Sequence, residues 1–234
     1  MGKLIKAEFL KLSRLRGYKI LLLFITGMGI LMGYFLANLP ASDLPAGYYV
    51  QDGHNIYMLM LADTEVFMSF SLIFVAIFVC TEFSGRTFSM NLFSGCPRHN
   101  ILLAKIYVYL IGLVPVVVLA PLMAGLTGSI GLGFGHLDSQ MWFALIRITL
   151  LAILGNTAMG CFCLMIAVLF KNIVWTIGVG FAFMILIQAI KTFPTTRGSL
   201  LQPEYIEPFI VVNIVILVVT LIASFVIFQK SDLK

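Results

Sequence analysis

The residue types that usually carry out chemistry are scarce in this chain, and their spacing suits recognition better than catalysis. The three histidines, His54, His99 and His136, fall in expected loops between apolar runs, with His99 on the opposite side of the membrane from the other two. Inside the apolar runs the polar groups include Asn156, Thr157, Gln188 and Asn213, with no Asp–His or Glu–His constellation to move a proton or activate a nucleophile. ATP hydrolysis needs a glycine-rich phosphate cradle followed by Lys-Ser or Lys-Thr. Here Gly2-Lys3 is followed by Leu4, and the glycine-rich GLTGSIGLGFG at 125–135 contains no lysine and reads as a connector. Cys161-Phe-Cys163 lacks the spacing of a zinc knuckle or redox pair. No catalytic residue, metal ligand or resident cofactor is expected. The remaining polar signal is residues 81–105, TEFSGRTFSMNLFSGCPRHNILLAK, which interrupts long apolar sequence with charge, glycine and proline. Ser84 can cap a short helix there, Phe88 and Leu92 at i and i+4 give it an apolar ridge beside Met90 and Phe93, and Gly95 can end it. Cys96-Pro97 then opens the next helix. Such an element either floats at a lipid interface or forms a knob for a partner's groove, with Glu82, Arg86 and Arg98 supplying directional hydrogen bonds.

The elements that must position this stretch are set by composition. The chain is 61% hydrophobic and only 11% charged, with mean hydropathy +1.06. An ordinary soluble domain carries about 25% charged residues. Its apolar runs are long enough to cross a hydrocarbon core as helices of roughly 20 residues, and the alternating strands of a membrane barrel are absent from the pattern. The expected fold is an all-α polytopic membrane protein, one permease-like domain over 1–234, with spans at about 18–37, 56–81, 101–124, 142–170, 173–190 and 209–228. Residues 1–16 form an amphipathic interfacial helix. That basic segment and the apolar run at 20–36 are too long for a cleavable signal, so a retained first span is expected. Orientation follows from lysine and arginine. With six spans and the N-terminus inside, Lys3, Lys6, Lys11, Arg14, Arg16, Lys19, Arg86, Arg98, Lys105, Lys171, Lys230 and Lys234 lie inside, against Lys191 and Arg197 outside. Both termini and the 82–100 loop are therefore expected in the cytoplasm, in the cell membrane. The net charge of +5 speaks to topology, not to nucleic acid.

Two charged features stand out against this frame. In the interfacial helix Leu4, Ile5, Phe9, Leu12 and Leu15 share a face, and Glu8 projects into its middle, with Lys11 one turn on. Glu8 is either solvated, or the face meets protein and Glu8 pairs with a basic group there. Near the outer boundary Asp63 or Glu65 reaches a depth similar to Arg147, which fits an ion pair, independent snorkelling or a gating role.

AEFLK at 7–11, ahead of a first span, and the 81–105 stretch together resemble the permease subunits of ABC-2-type transporters. The pattern is carried by Glu82, Phe83, Gly85, Thr87, Arg98, Ile101 and Lys105, with Arg86 inserted between Gly85 and Thr87, which many members join. The six-span plan and the terminal Phe228, Lys230, Asp232 and Leu233 extend the resemblance over most of the chain. Within the superfamily, the size and the lack of a large outer domain are similar to permeases of bacteriocin-immunity and amphipathic peptide-toxin exporters, including those for phenol-soluble modulins. The resemblance implies that residues 82–100 form a coupling helix docking a soluble ABC ATPase, which would hold the ATP and magnesium. It also implies a second permease copy, identical or not, and a peptide cargo moving between the two. A gradient-driven carrier or channel, or a non-transporting immunity factor that sequesters a peptide, are the readings from other classes.

Overall fold

The computed structural model describes residues 2–39, 52–62, 64–81, 98–191 and 206–230, without the side chains at 64–68, 98–99, 187–191 and 229–230. Among these the chain is helical, and eight α-helices follow in order: α1 (Gly2–Arg14), α2 (Arg16–Asn38), α3 (Gly53–Ala62), α4 (Thr64–Val75), α5 (Arg98–Leu132), α6 (Ser139–Phe170), α7 (Ile173–Lys191) and α8 (Ile206–Lys230). A five-residue π-helical turn, Ala76–Cys80, continues α4. Among the described residues, four stretches are long and apolar enough to cross a membrane: Arg16–Asn38, Asn100–Leu132, Ser139–Phe170 and Ile206–Phe228. Ser69–Cys80 and Ile173–Leu186 are shorter apolar helices.

The bundle is built on two posts. Helix α5 receives α1, α2 and α3, and α6 receives α4 and α8. Close approach on the first post depends on small residues, since helices in lipid gain from backbone proximity and not from the hydrophobic effect. Gly29 and Gly33, one turn apart on α2, lie against Ala120 and Ala124 of α5; a Cβ at Gly29 would sit 2.5 Å from the Ala120 carbonyl oxygen. Pro115 and Pro121 are accommodated inside α5.

The glycine-rich 125–135 segment is not the connector expected from its composition: α5 runs on as helix to Leu132 and only 133–138 form the loop. The reason lies in packing. A Cβ at Gly53 would lie 2.7 Å from both the Gly125 carbonyl oxygen and the Ser129 Cβ, so these glycines let α3 press on the last turns of α5. The loop itself uses glycine differently, with Gly133 at φ 80° and Gly135 at φ 84°. The Gly53 N–H donates to the Gly133 carbonyl at 2.9 Å and ties the loop to α3. At the other end, a tight turn at 171–172 joins α6 to α7. Lys171 adopts φ 54°, its N–H donates to the Ala167 carbonyl, and Asn172 Oδ1 caps α7 by accepting from the Val174 N–H at 2.9 Å.

Candidate functional site at the N-terminal end of α5

Helix α1 is amphipathic, but its buried face is centred on an acid. Glu8 is 1% exposed and Leu12 is buried beside it, with Leu4, Ile5 and Leu15 packed at the edges of the core. Lys3, Lys6 and Arg14 face away. Phe9 also points outward, 48% exposed, so the apolar face turns slightly off the one the periodicity marks. A buried carboxylate one helical turn from Leu12 needs compensation, because an isolated charge out of water is prohibitive.

Lys105 provides it. This residue, fully buried on α5, places Nζ 3.0 Å from Glu8 Oε2. Lys11 closes the other oxygen, its Nζ donating to Oε1 at 2.6 Å from the helix edge. Burial is the largest influence on the Glu8 carboxyl and pushes its pKa up. The Lys105 charge, the hydrogen bonds from Lys11 and Lys105 and the Lys11 charge together outweigh it and hold the carboxyl below its ordinary value of 4.5. Of the alternatives for Glu8, the protein contact is the one observed, and Glu8 and Lys11 are brought together as partners.

Phe78 completes the cluster. Its ring, in the π-helical turn, lies under Lys105 Nζ at 4.4 Å, within the range of a cation–π contact. Phe78 stacks on Phe74 (5.8 Å between centroids), and Phe74 in turn meets Tyr18 and Tyr109 at 5.0 and 5.1 Å. Tyr18 anchors α2 by donating to the Gly112 carbonyl at 2.9 Å. In the same turn Cys80 Sγ lies 3.3 Å from Thr176 Oγ1 of α7. One polar contact, Glu8–Lys105–Phe78, thus joins the interfacial helix to the residues just before and just after 82–97. No period in the sequence pairs position 8 with position 105; the only signal was an acid in the wrong place on an apolar face.

Of the expected docking residues, Glu82, Phe83, Gly85, Arg86, Thr87, Phe88, Leu92 and Phe93 lie outside the described residues, as does the Arg98 side chain. Asp63 and the Glu65 side chain lie outside them as well, while Arg147 is exposed on α6. Deep in the bundle, Ser71 Oγ donates to Asn156 Oδ1 at 3.3 Å, and Asn156 Nδ2 returns to the Ala152 carbonyl at 2.9 Å. The Tyr109 hydroxyl, facing Gly160, is buried without a hydrogen-bond partner. Cys161 and Cys163 are buried among these helix contacts, and no group of three potential metal-ligating side chains occurs among the described residues. These contacts hold the helices of the bundle together.

Comparison with known proteins agrees with this character. A search of curated proteins found no match. The family model described as ABC-2 family transporter protein matches residues 4–188, which takes in most of α1, the ion-pair cluster and both posts of the bundle. With most of its length covered by that model, the chain belongs to the ABC-2 family of transporter membrane proteins.

Proposed function

We propose that this chain is the permease subunit of an ATP-driven exporter. Residues 82–100 would act as the cytoplasmic coupling segment against which a separate ABC ATPase docks through Glu82, Phe83, Arg86, Phe88, Leu92 and Arg98. The observation that carries the reading is the Glu8–Lys105–Phe78 contact: a push on the segment between Cys80 and Lys105 cannot move either flank without moving α1. Family membership and the excess of lysine and arginine on one side support the same orientation, with both termini inside and six apolar segments crossing the cell membrane. The Ser69–Cys80 and Ile173–Leu186 helices are the two shorter crossings in that plan. A second permease copy would complete the path. Amphipathic or hydrophobic peptide is the cargo class we favour, because the chain offers a wide apolar surface and few polar groups to select a charged solute. Arg147 would meet Asp63 or Glu65 at the outer boundary; recovery of transport by Glu65→Arg in an Arg147→Glu background would support that pairing.

Co-purification with the ATPase tests the docking assignment. Phe88→Asp and Glu82→Ala should each lower the recovered ATPase while leaving membrane insertion intact. Undiminished ATPase recovery with both variants removes the docking surface from these residues. ATP-independent, gradient-driven flux in vesicles holding the permease alone would instead establish a carrier.

A further inference from the structure

At the far end of α5 from Lys105, a cavity of about 370 Å³ opens between α3, α5 and α6. Its walls include Leu122, Leu126, Trp142, Ile146 and Leu150, all of them exposed on the side that would face lipid. Leu122 and Leu126 stand about 26–32 Å along α5 from Lys105 at the helical rise, so the cavity sits in the opposite leaflet from the ion-pair cluster. Its height along α6, from Trp142 to Leu150, is about 12 Å by the same rise.

The buried polar atoms in these walls are engaged but for one. Thr149 Oγ1 donates to the Leu145 carbonyl at 2.7 Å, so the Tyr57 hydroxyl, 2.8 Å away, is the donor to it. His54 is the exception. It is 2% exposed, its Nδ1 lies 2.9 Å from the Phe134 carbonyl oxygen, and its Nε2 is buried with no hydrogen-bond partner. A carbonyl can only accept, so Nδ1 carries a proton, and in the Nδ1–H tautomer Nε2 is an acceptor with no partner. An orphaned acceptor beside an otherwise satisfied apolar slot is an unmade hydrogen bond that a ligand can supply.

The polar group and the apolar slot are also stacked in the order of a leaflet. The Phe134 loop follows the last turn of α5 and His54 is tied to it, while Leu122 and Leu150 lie deeper along their helices. We propose that this cavity is a lipid site that takes one acyl chain between α5 and α6, with a hydroxyl at the head of the chain donating to His54 Nε2. The occupant is a hydroxyl-headed bilayer lipid such as a monoacylglycerol. Among the described lining residues there is no lysine, arginine, aspartate or glutamate, which favours an uncharged head over a charged one. The site is independent of ATPase docking; only its assignment to the outer leaflet rests on the orientation proposed above.

Full-length permease in nanodiscs, without ATPase, is photolabelled with a long-chain fatty alcohol carrying a diazirine, in parallel with its methyl ether. Labelling is expected on the segments around Leu126 and Ile146, with the alcohol favoured about tenfold over the ether, the worth of one hydrogen bond. Excess monoacylglycerol should compete. His54→Phe should abolish the preference for the alcohol, and Ile146→Trp, at an exposed wall position, should block labelling by filling the slot. Equal labelling by both probes, label spread evenly over α8, or displacement by amphipathic peptide but not by monoacylglycerol each overturns the proposal. Because no ATPase is present, these results stand apart from the docking test, and failure of one reading leaves the other in place.

Discussion

Replacing Glu8 with Gln keeps the shape of the α1 side chain and removes only its charge. Lys105, fully buried with its Nζ 3.0 Å from Glu8 Oε2, then loses the Glu8 carboxylate. At an effective dielectric near 20, a pair at that distance is worth about 5 kcal/mol of attraction before desolvation. Removing one member of a buried pair generally costs about 3–5 kcal/mol, since the remaining charge stays out of water. Of the contacts Lys105 keeps, the one with the Phe78 ring offsets about 0.5–2 kcal/mol of this. Lys11 makes the shorter contact, at 2.6 Å, yet its side chain is 37% exposed, and an exposed pair one helical turn apart contributes under about 1 kcal/mol. Proximity alone therefore ranks the two lysines wrongly. Hydrogen exchange of the α1 amides in nanodiscs reads the difference. Glu8→Gln should speed exchange by about one to three decades, Lys11→Ala by less than tenfold. Pairing Glu8→Gln with Lys105→Met should restore most of the protection, because a buried pair replaced by neutral groups of similar volume is close to neutral. If Glu8→Gln exchanges no faster than Lys11→Ala, the buried pair does not hold α1 to α5, and the mechanical link fails with it.

Acid should act on the same contact. Glu8 holds its proton more weakly when folded than when unfolded, so its contribution is present above the ordinary carboxylate value of 4.5 and is lost as pH falls through the lower folded value. Protection of α1 should therefore persist down to about that pH and drop below it, with Glu8→Gln flat over the same range. Gly29→Leu drives a side chain into the Ala120 backbone and should separate α2 from α5; a thermal midpoint in detergent equal to the parent's would refute that close approach. Tyr109→Phe removes a buried hydroxyl that has no partner and should raise the midpoint, by about 1 kcal/mol of stability, whereas a fall would mean the hydroxyl is engaged.

Composition and periodicity alone determined that this is a helical membrane protein, that residues 1–16 are amphipathic, and that 81–105 differs from everything around it. Those properties are local: they depend on the apolar length needed to cross lipid and on which residues recur every 3.6 positions. The anomaly at Glu8 was equally legible, but its partner was not, because Lys105 lies 97 positions away and no local period relates them. The glycines at 125 and 128 looked like a flexible connector for the same reason. Only the approach of α3 shows them to be helical contact points, and only the arrangement of three helices leaves His54 Nε2 unpaired above an apolar slot. A one-dimensional pattern shows what each helix needs to bury; which neighbour satisfies that need is decided when the helices pack.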